Sequence, residues 1–136
     1  MGLGDINLFS WKSREQSERE QEEYGQWAFP HGPEQRANLE KLLAQLHPKR
    51  ERPFAMMAFL TCKELYDRYL KKYKSSELAV DFLLNSEKKY KNIIRKEDMP
   101  RCIALVLADT KVDESCVYPT ADELRKSIAE IEAIRK

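Results

Sequence analysis

The sequence has little glycine or proline, with 4 Gly and 6 Pro in 136 residues. Sandwiches and barrels need many tight turns, and these two residues commonly form them. Their scarcity therefore favours long helices over a strand-rich fold. A chain of this length is most economically one domain with one core, and it can fold without disulfide or metal support.

Cysteine is also scarce, and the spacing of the cysteines does not suit a metal site. The three cysteines, Cys62, Cys102 and Cys116, are odd in number and contain no C-x-x-C pair. This pattern argues against a disulfide framework or a zinc site and favours a reducing compartment. No apolar run approaches the ~20 residues of a membrane span, and "MGLGDINLFSWKS" lacks the apolar core of a secretion signal. We therefore expect a cytoplasmic protein without a membrane segment.

Catalytic motifs are lacking. His31 and His47 belong to no H-E-x-x-H pattern, and no glycine-rich phosphate loop is present. The acidic loop after Asp109 lacks the spacing and the glycine of an EF-hand. We therefore predict no catalytic residue, no cofactor and no metal. An enzyme would need four side chains to meet in one cleft: His31, Asp113, Glu114 and Cys116.

Charge is abundant but unevenly distributed. Net charge is +1, yet residues 1–25 carry three basic and six acidic side chains, whereas residues 48–97 carry thirteen and seven. Such asymmetry indicates a basic face for an acidic or polyanionic partner, or complementary contacts within the fold.

The acidic N-terminus is predicted to be a polar arm, residues 1–25, ahead of a helical domain, residues 26–136. Residues 12–23 contain no apolar side chain, so any helix here has no face to bury. An exposed helix and a disordered arm are equally compatible with this pattern. In "YGQWAFPHGPEQ", residues 24–35, Trp27 and Phe29 are the apolar anchors of a hinge that docks the arm, with His31 at its exposed tip.

Helical patterns follow along the domain. Pro33 and Glu34 suit a first helical turn, an apolar stripe of leucines follows, and His47-Pro48 ends the helix. A second helix begins near Pro53 with "PFAMMAFL", which is apolar on all sides and is therefore placed deep in the core. A tyrosine stripe later in that helix is also assigned to the core, with its hydroxyls at the rim.

Three further elements complete the pattern. A third helix is predicted over residues 77–95, with Ser75 or Ser76 as N-cap. Residues 98–109 are predicted to be a helix capped by Asp98, although a buried strand also fits their short apolar run. The last helix begins with the capping box of Thr120 and Glu123. The predicted fold is an all-α bundle of four or five helices with a polar N-terminal arm.

Two functional interpretations remain open. Residues 78–94 resemble the outline of a helix-turn-helix with a break at Asn85-Ser86, but the glycine of its turn is missing and one continuous amphipathic helix explains the same residues. Nucleic-acid binding through the basic 77–96 helix is thus the alternative. We favour a non-catalytic protein-interaction or regulatory module that offers the exposed basic side chains of residues 63–96 to an acidic protein.

The predicted partner-contacting residues are the two hinge anchors and the basic side chains of this region: Trp27, Phe29, Lys71, Lys72, Lys74, Lys88, Lys89, Lys91, Arg95 and Lys96. An amphipathic stripe buries equally well inside a monomer or between two copies. The sequence therefore leaves homo-oligomerisation open.

Overall fold

The computed structural model describes residues 14–49, 52–86 and 88–135, and in these ranges every regular element is an α-helix. The all-α prediction is therefore confirmed, and the described part of the chain contains six helices where four or five are predicted. The helices are α1 (Arg14–Ala28), α2 (Pro33–Leu46), α3 (Arg52–Tyr73), α4 (Ser76–Asn85), α5 (Met99–Asp109) and α6 (Ala121–Arg135).

The core lies around α3 and α5. α3 packs against α2, α4 and α5, while α6 lies along α5 and touches α2. Phe59 of α3, Leu39 of α2 and Ile103 of α5 are fully buried in one continuous apolar cluster. Cys62 and Cys102 are free thiols within this core, and burial together with the nearby Cys102 raises the pKa of Cys62 well above its usual range.

The N-terminal arm is partly a helix. α1 begins at Arg14 and continues through Gly25 to Ala28, so it crosses the predicted boundary between arm and domain. Its residues from Glu15 to Tyr24 are exposed except for half-buried Ser17, as a helix without an apolar face requires. Residues 1–13, the first half of the predicted arm, lie outside the described residues.

Several helix ends follow their predicted signals. Leu78 N–H donates to Ser75 Oγ at 3.2 Å, which makes Ser75 the N-cap of α4. At α6, Glu123 N–H donates to Thr120 Oγ1 at 3.2 Å and Thr120 N–H donates to Glu123 Oε1 at 3.4 Å. The capping box is therefore confirmed.

The predicted helix over residues 77–95 is wrong in its second half. α4 ends at Asn85 because the hydroxyl of Ser86 donates to Phe82 O at 2.7 Å, while its N–H donates to Leu83 O at 3.1 Å. A serine that bonds the preceding turn competes with helix continuation. The described residues from Lys88 to Asp98 form successive turns, so the recognition helix of a helix-turn-helix is not formed there.

Residues 99–109 form helix α5, which decides between the helix and the strand predicted for this stretch. Pro100 lies in the first turn of this helix. Asp98 precedes the helix but makes no side-chain cap bond. Its carboxylate instead lies 3.5 Å from Nδ1 of buried His47 and 3.4 Å from Arg101, so the predicted capping role is wrong.

Candidate functional site

The N-terminal half of α3 presents apolar side chains to the surface. Ala55, Ala58 and Phe59 face the core, whereas Phe54 is 51% exposed and Met57 is 48% exposed. The prediction that this half is buried on all sides is therefore wrong, because the core contacts one side of the helix only. The all-round apolar pattern was the signal for this surface, and it was assigned to packing.

Tyr24 of α1 lies beside the same surface and is 47% exposed. We call the whole surface the Met57 face; its members are Tyr24, Pro53, Phe54, Met56, Met57 and Leu60. All of them except Phe54 line one groove of about 470 Å³ between α1, α2 and α3. Single exposed apolar residues are ordinary, but a group of adjacent ones marks an interaction surface.

The rim of the groove is charged. Arg36, Glu40 and Glu64 line it, and Arg36 Nε lies 3.1 Å from Glu40 Oε1. Partial burial, together with the negative charge of Glu64, raises the pKa of the Tyr24 phenol. Burial is the larger of the two causes, and the nearby carboxylate of Glu64 disfavours the phenolate further.

The position of Tyr24 is fixed by the last turn of α1. Trp27 Nε1 donates to Asp67 Oδ2 at 2.8 Å, and the Lys63 ammonium lies 5.2 Å from the Trp27 ring centroid. The rings of Tyr24 and Trp27 lie 5.3 Å apart. Phe29 is half-buried against the core beneath the Arg36 guanidinium. Residues 24–35 thus dock α1 on α3, and Trp27 and Phe29 make intramolecular contacts.

A buried polar cluster lies directly behind this docking point. Lys63 Nζ donates to Asp109 Oδ2 at 2.8 Å and to Ala28 O at 2.9 Å. Asp109 Oδ1 accepts from Gln35 Nε2 at 3.1 Å and from Tyr118 Oη at 2.6 Å. Lys63 was expected on the exposed basic face, and its burial corrects that expectation. It is buried because its ammonium has both a carboxylate and a carbonyl partner.

The buried cluster has the composition of a proton-transfer site but not its accessibility. Lys63 and Asp109 are each more than nine-tenths buried. Desolvation and the adjacent Asp109 raise the pKa of the Tyr118 phenol strongly, so this phenol stays protonated. Every buried side-chain nitrogen or oxygen in the described ranges has a hydrogen-bond partner. The cluster therefore holds α1, α2, α3 and α5 together.

His31 and Cys116, two of the four residues of the enzyme hypothesis, lie close together where the loop after α5 meets residues 31–35. His31 Nε2 lies 3.2 Å from Val112 O, and Cys116 Sγ lies 3.8 Å from His31 O. His31 thus has a partner that its isolated position in the sequence did not reveal. Asp113 accepts from the Ser115 hydroxyl at 2.5 Å and from Ser115 N–H at 2.9 Å, and these two bonds lower the pKa of its carboxyl.

The chemistry of this loop is not that of an activated thiol. Desolvation raises the pKa of Cys116, and the charges of Glu34 and Asp113 raise it further. A nucleophilic cysteine needs the opposite shift. The thiol instead points at two backbone carbonyls, those of His31 and Glu114, and the loop is held by Asn38 Nδ2, which donates to Cys116 O at 2.7 Å.

The basic residues predicted to contact a partner lie on the surface. All eight of them are exposed: Lys71, Lys72, Lys74, Lys88, Lys89, Lys91, Arg95 and Lys96. Tyr73 stacks on Phe82 of α4 with ring centroids 4.3 Å apart, and Lys72 Nζ lies 5.3 Å from the Tyr73 ring centroid. Lys88 and Lys96 line a common depression with Asp81 and Arg135.

A second groove of about 820 Å³ lies between α5, α6 and the preceding loop. Val117 on its edge is exposed, and Tyr118 forms part of its wall. Its rim carries both signs of charge: Lys111, Lys126, Glu123 and Glu130. This groove therefore has no clear charge preference.

Within the described ranges, no group of three or more His, Cys, Asp or Glu side chains is arranged to hold a metal ion. None of the helices in this part of the chain is both long enough and apolar enough to span a bilayer. Comparisons with protein-family models, curated proteins and solved structures yield no significant match.

Proposed function

We propose that this protein is a protein-interaction module that acts without catalysis and binds its partner through the Met57 face. The observation that carries the proposal is the exposure of Tyr24 and Met57 in one groove, with exposed Phe54 three residues before Met57 on α3. Burying such a surface against a partner is favourable by roughly 25 cal/mol per Å² of apolar area before association costs are subtracted. Methionine adapts its shape readily to a bound surface.

Two substitutions test this role of the Met57 face. Met57→Asp places a charge in the groove without disturbing the apolar core, because the Met57 side chain is 48% exposed. Val117→Asp makes the same kind of change at the other groove and is the matched control. Proteins that co-purify with the full chain are measured by quantitative mass spectrometry of crosslinked complexes. We expect the Met57→Asp variant to lose these proteins and the Val117→Asp variant to retain them.

Both variants are first compared with the unmodified chain by far-UV circular dichroism and urea unfolding. Retention of every co-purifying protein by Met57→Asp would contradict the proposal. So would turnover of a metabolite by a chain that captures no protein.

The predicted basic residues form a second surface in this proposal, suited to an acidic region of a partner. In the proposed interaction, Trp27 and Phe29 contribute by positioning α1, because both side chains already pack within the chain. Their truncation is expected to weaken binding by releasing Tyr24 from the groove. Charge reversal of Lys88 and Lys91 is expected to weaken only the binding of an acidic partner. Binding assays with these variants and with the Trp27 and Phe29 variants therefore separate the two surfaces.

Nucleic-acid binding is the second candidate, favoured by the lysines around the Tyr73–Phe82 stack. Aromatic rings beside lysines stack bases and attract phosphates. This candidate predicts an affinity for single-stranded DNA that falls steeply with salt, with a slope of about −0.7 per phosphate contacted. Absence of retention on single-stranded DNA at low salt would exclude it, and Lys72→Glu, at the stack, should reduce retention more than Lys41→Glu on α2.

A further inference from the structure

We infer that the partner segment that occupies the Met57 face is a basic amphipathic helix, an inference that rests on the proposed function. The first argument is shape. Groove residues Pro53, Met57, Leu60 and Glu64 recur along one side of α3 and extend over about 16 Å, or about three helical turns. No β-strand occurs among the described residues, so strand addition has no sheet edge to use, whereas a helix can lay its apolar side in such a groove.

The second argument is charge. Between Glu15 and Glu23, α1 carries five glutamates and one arginine, and α1 forms one side of the groove through Tyr24. Glu40 and Glu64 also line the rim, but Arg36 lies 3.1 Å from Glu40 and Arg68 lies 3.9 Å from Glu64, so the excess negative charge comes from α1. Lysine or arginine flanking the apolar stripe of an incoming helix would meet this acidic wall of α1 on one side of the groove, which raises association rate and selects against acidic helices.

The same charge argument disfavours two other occupants. Residues 1–13 of this chain are apolar in part, but their only charged side chains are Asp5 and Lys12. In a second copy, the basic side chains from Lys88 to Lys96 lie in successive turns and do not form an amphipathic helix. A separate basic helix complements the acidic wall better than either.

Two synthetic peptides test the inference. One is an 18-residue amphipathic helix of leucine and lysine, and the other has glutamate in place of every lysine. Fluorescence anisotropy with the full chain at about 0.15 M salt measures both affinities. We expect the lysine peptide to bind at least about tenfold more tightly, a difference equal to roughly 1.4 kcal/mol. Equal affinity, or a preference for the glutamate peptide, would overturn the inference.

Substitutions show whether the lysine peptide binds in the groove. Met57→Asp makes the groove more negative, so electrostatic attraction alone would strengthen binding; we expect binding to weaken at least about tenfold because the apolar contact is lost. Met57→Ser should also weaken binding, without a change of charge. Glu64→Lys should weaken binding severalfold, whereas Glu130→Lys on α6 should leave it unchanged. Binding that survives Met57→Asp would show non-specific attraction and overturn the inference.

The two proposals fail in different ways. Natural partners that depend on Met57 but present an acidic or uncharged segment would leave the interaction function standing and overturn the basic helix. A Met57-dependent dimer of this chain, seen by analytical ultracentrifugation, would do the same. If the Met57→Asp variant retains every natural partner, the interaction function itself is contradicted, even if the lysine peptide binds.

Discussion

The two ends of α3 treat their outward apolar side chains differently. Near the C-terminal end, Tyr69 and Tyr73 pack against Phe82 of α4, with ring centroids 5.6 and 4.3 Å from the Phe82 ring. Near the N-terminal end, Phe54 and Met57 remain about half exposed. Similar sequence patterns thus lead to packing at one end and to an open surface at the other. The two ends differ because α4 covers one of them and no helix in the described part of the chain covers the other. The periodicity of α3 itself does not show this difference.

The sharpest test of this comparison uses two phenylalanines at the open end. Phe59 is fully buried and Phe54 is half exposed. Phe59→Ala should reduce the free energy of unfolding by about 3–5 kcal/mol, since it removes a core side chain and leaves a cavity. Phe54→Ala should change it by only about 0.5 kcal/mol. Urea unfolding measures both, and equal losses would show that Phe54 is also part of the core.

The middle of α3 gives the next largest expected effect. Lys63→Met removes the partner of buried Asp109. Loss of one member of a buried ion pair costs about 3–5 kcal/mol, and we expect the lower end because Gln35 and Tyr118 still donate to the carboxylate. Lys71→Met at the exposed end of α3 is the matched control and should be nearly neutral. If Lys63→Met leaves the free energy of unfolding in urea unchanged, the buried polar cluster adds no stability.

At the covered end, Phe82→Ala removes the stacked partner of Tyr73. An aromatic pair contributes about 0.5–1.5 kcal/mol beyond its buried area, so a modest destabilisation is expected. Leu78→Ala, on the same helix and also exposed, should cost less. If both variants unfold at the same urea concentration, the stack does not hold α4 on α3.

The smallest effect depends on pH. The pKa of Tyr118 is raised in the fold, so above its unfolded value of about 10 the unfolded chain releases this proton while the folded chain keeps it. The stability contributed by the protonated phenol is complete below pH ~10 and is lost as pH rises above it. Urea unfolding at pH 8 and pH 10.5 should therefore show that the free energy of unfolding falls more for the native chain than for Tyr118→Phe. Identical losses would contradict the pKa shift.

The sequence predicts local structure better than it predicts partners in space. Capping residues such as Ser75 and Thr120 act over three or four residues, so their signals are readable in one segment. Ser86 ended α4 through a local bond as well, yet the apolar spacing beyond it imitated a continuing helix. Apolar periodicity indicates which residues would share a side of a helix, but it does not by itself show where the helix ends.

The site was harder to predict because its features depend on distant segments. Lys63 and Asp109 are 46 residues apart, and neither residue type suggests burial. Phe54 and Met57 were assigned to the core because nothing in their segment shows that the other helices contact only one side of α3. The exposed lysines were predicted well because charged side chains remain in water unless a specific partner exists.

The bond from Lys63 to the carbonyl of Ala28 also bears on how fast a ligand can bind. Because a buried ammonium holds the last turn of α1, the side of the groove that carries Tyr24 is already in place before any partner arrives. Binding to such a preorganised surface loses less conformational entropy and requires no opening step. Differences in affinity among partners should therefore appear chiefly in their dissociation rates.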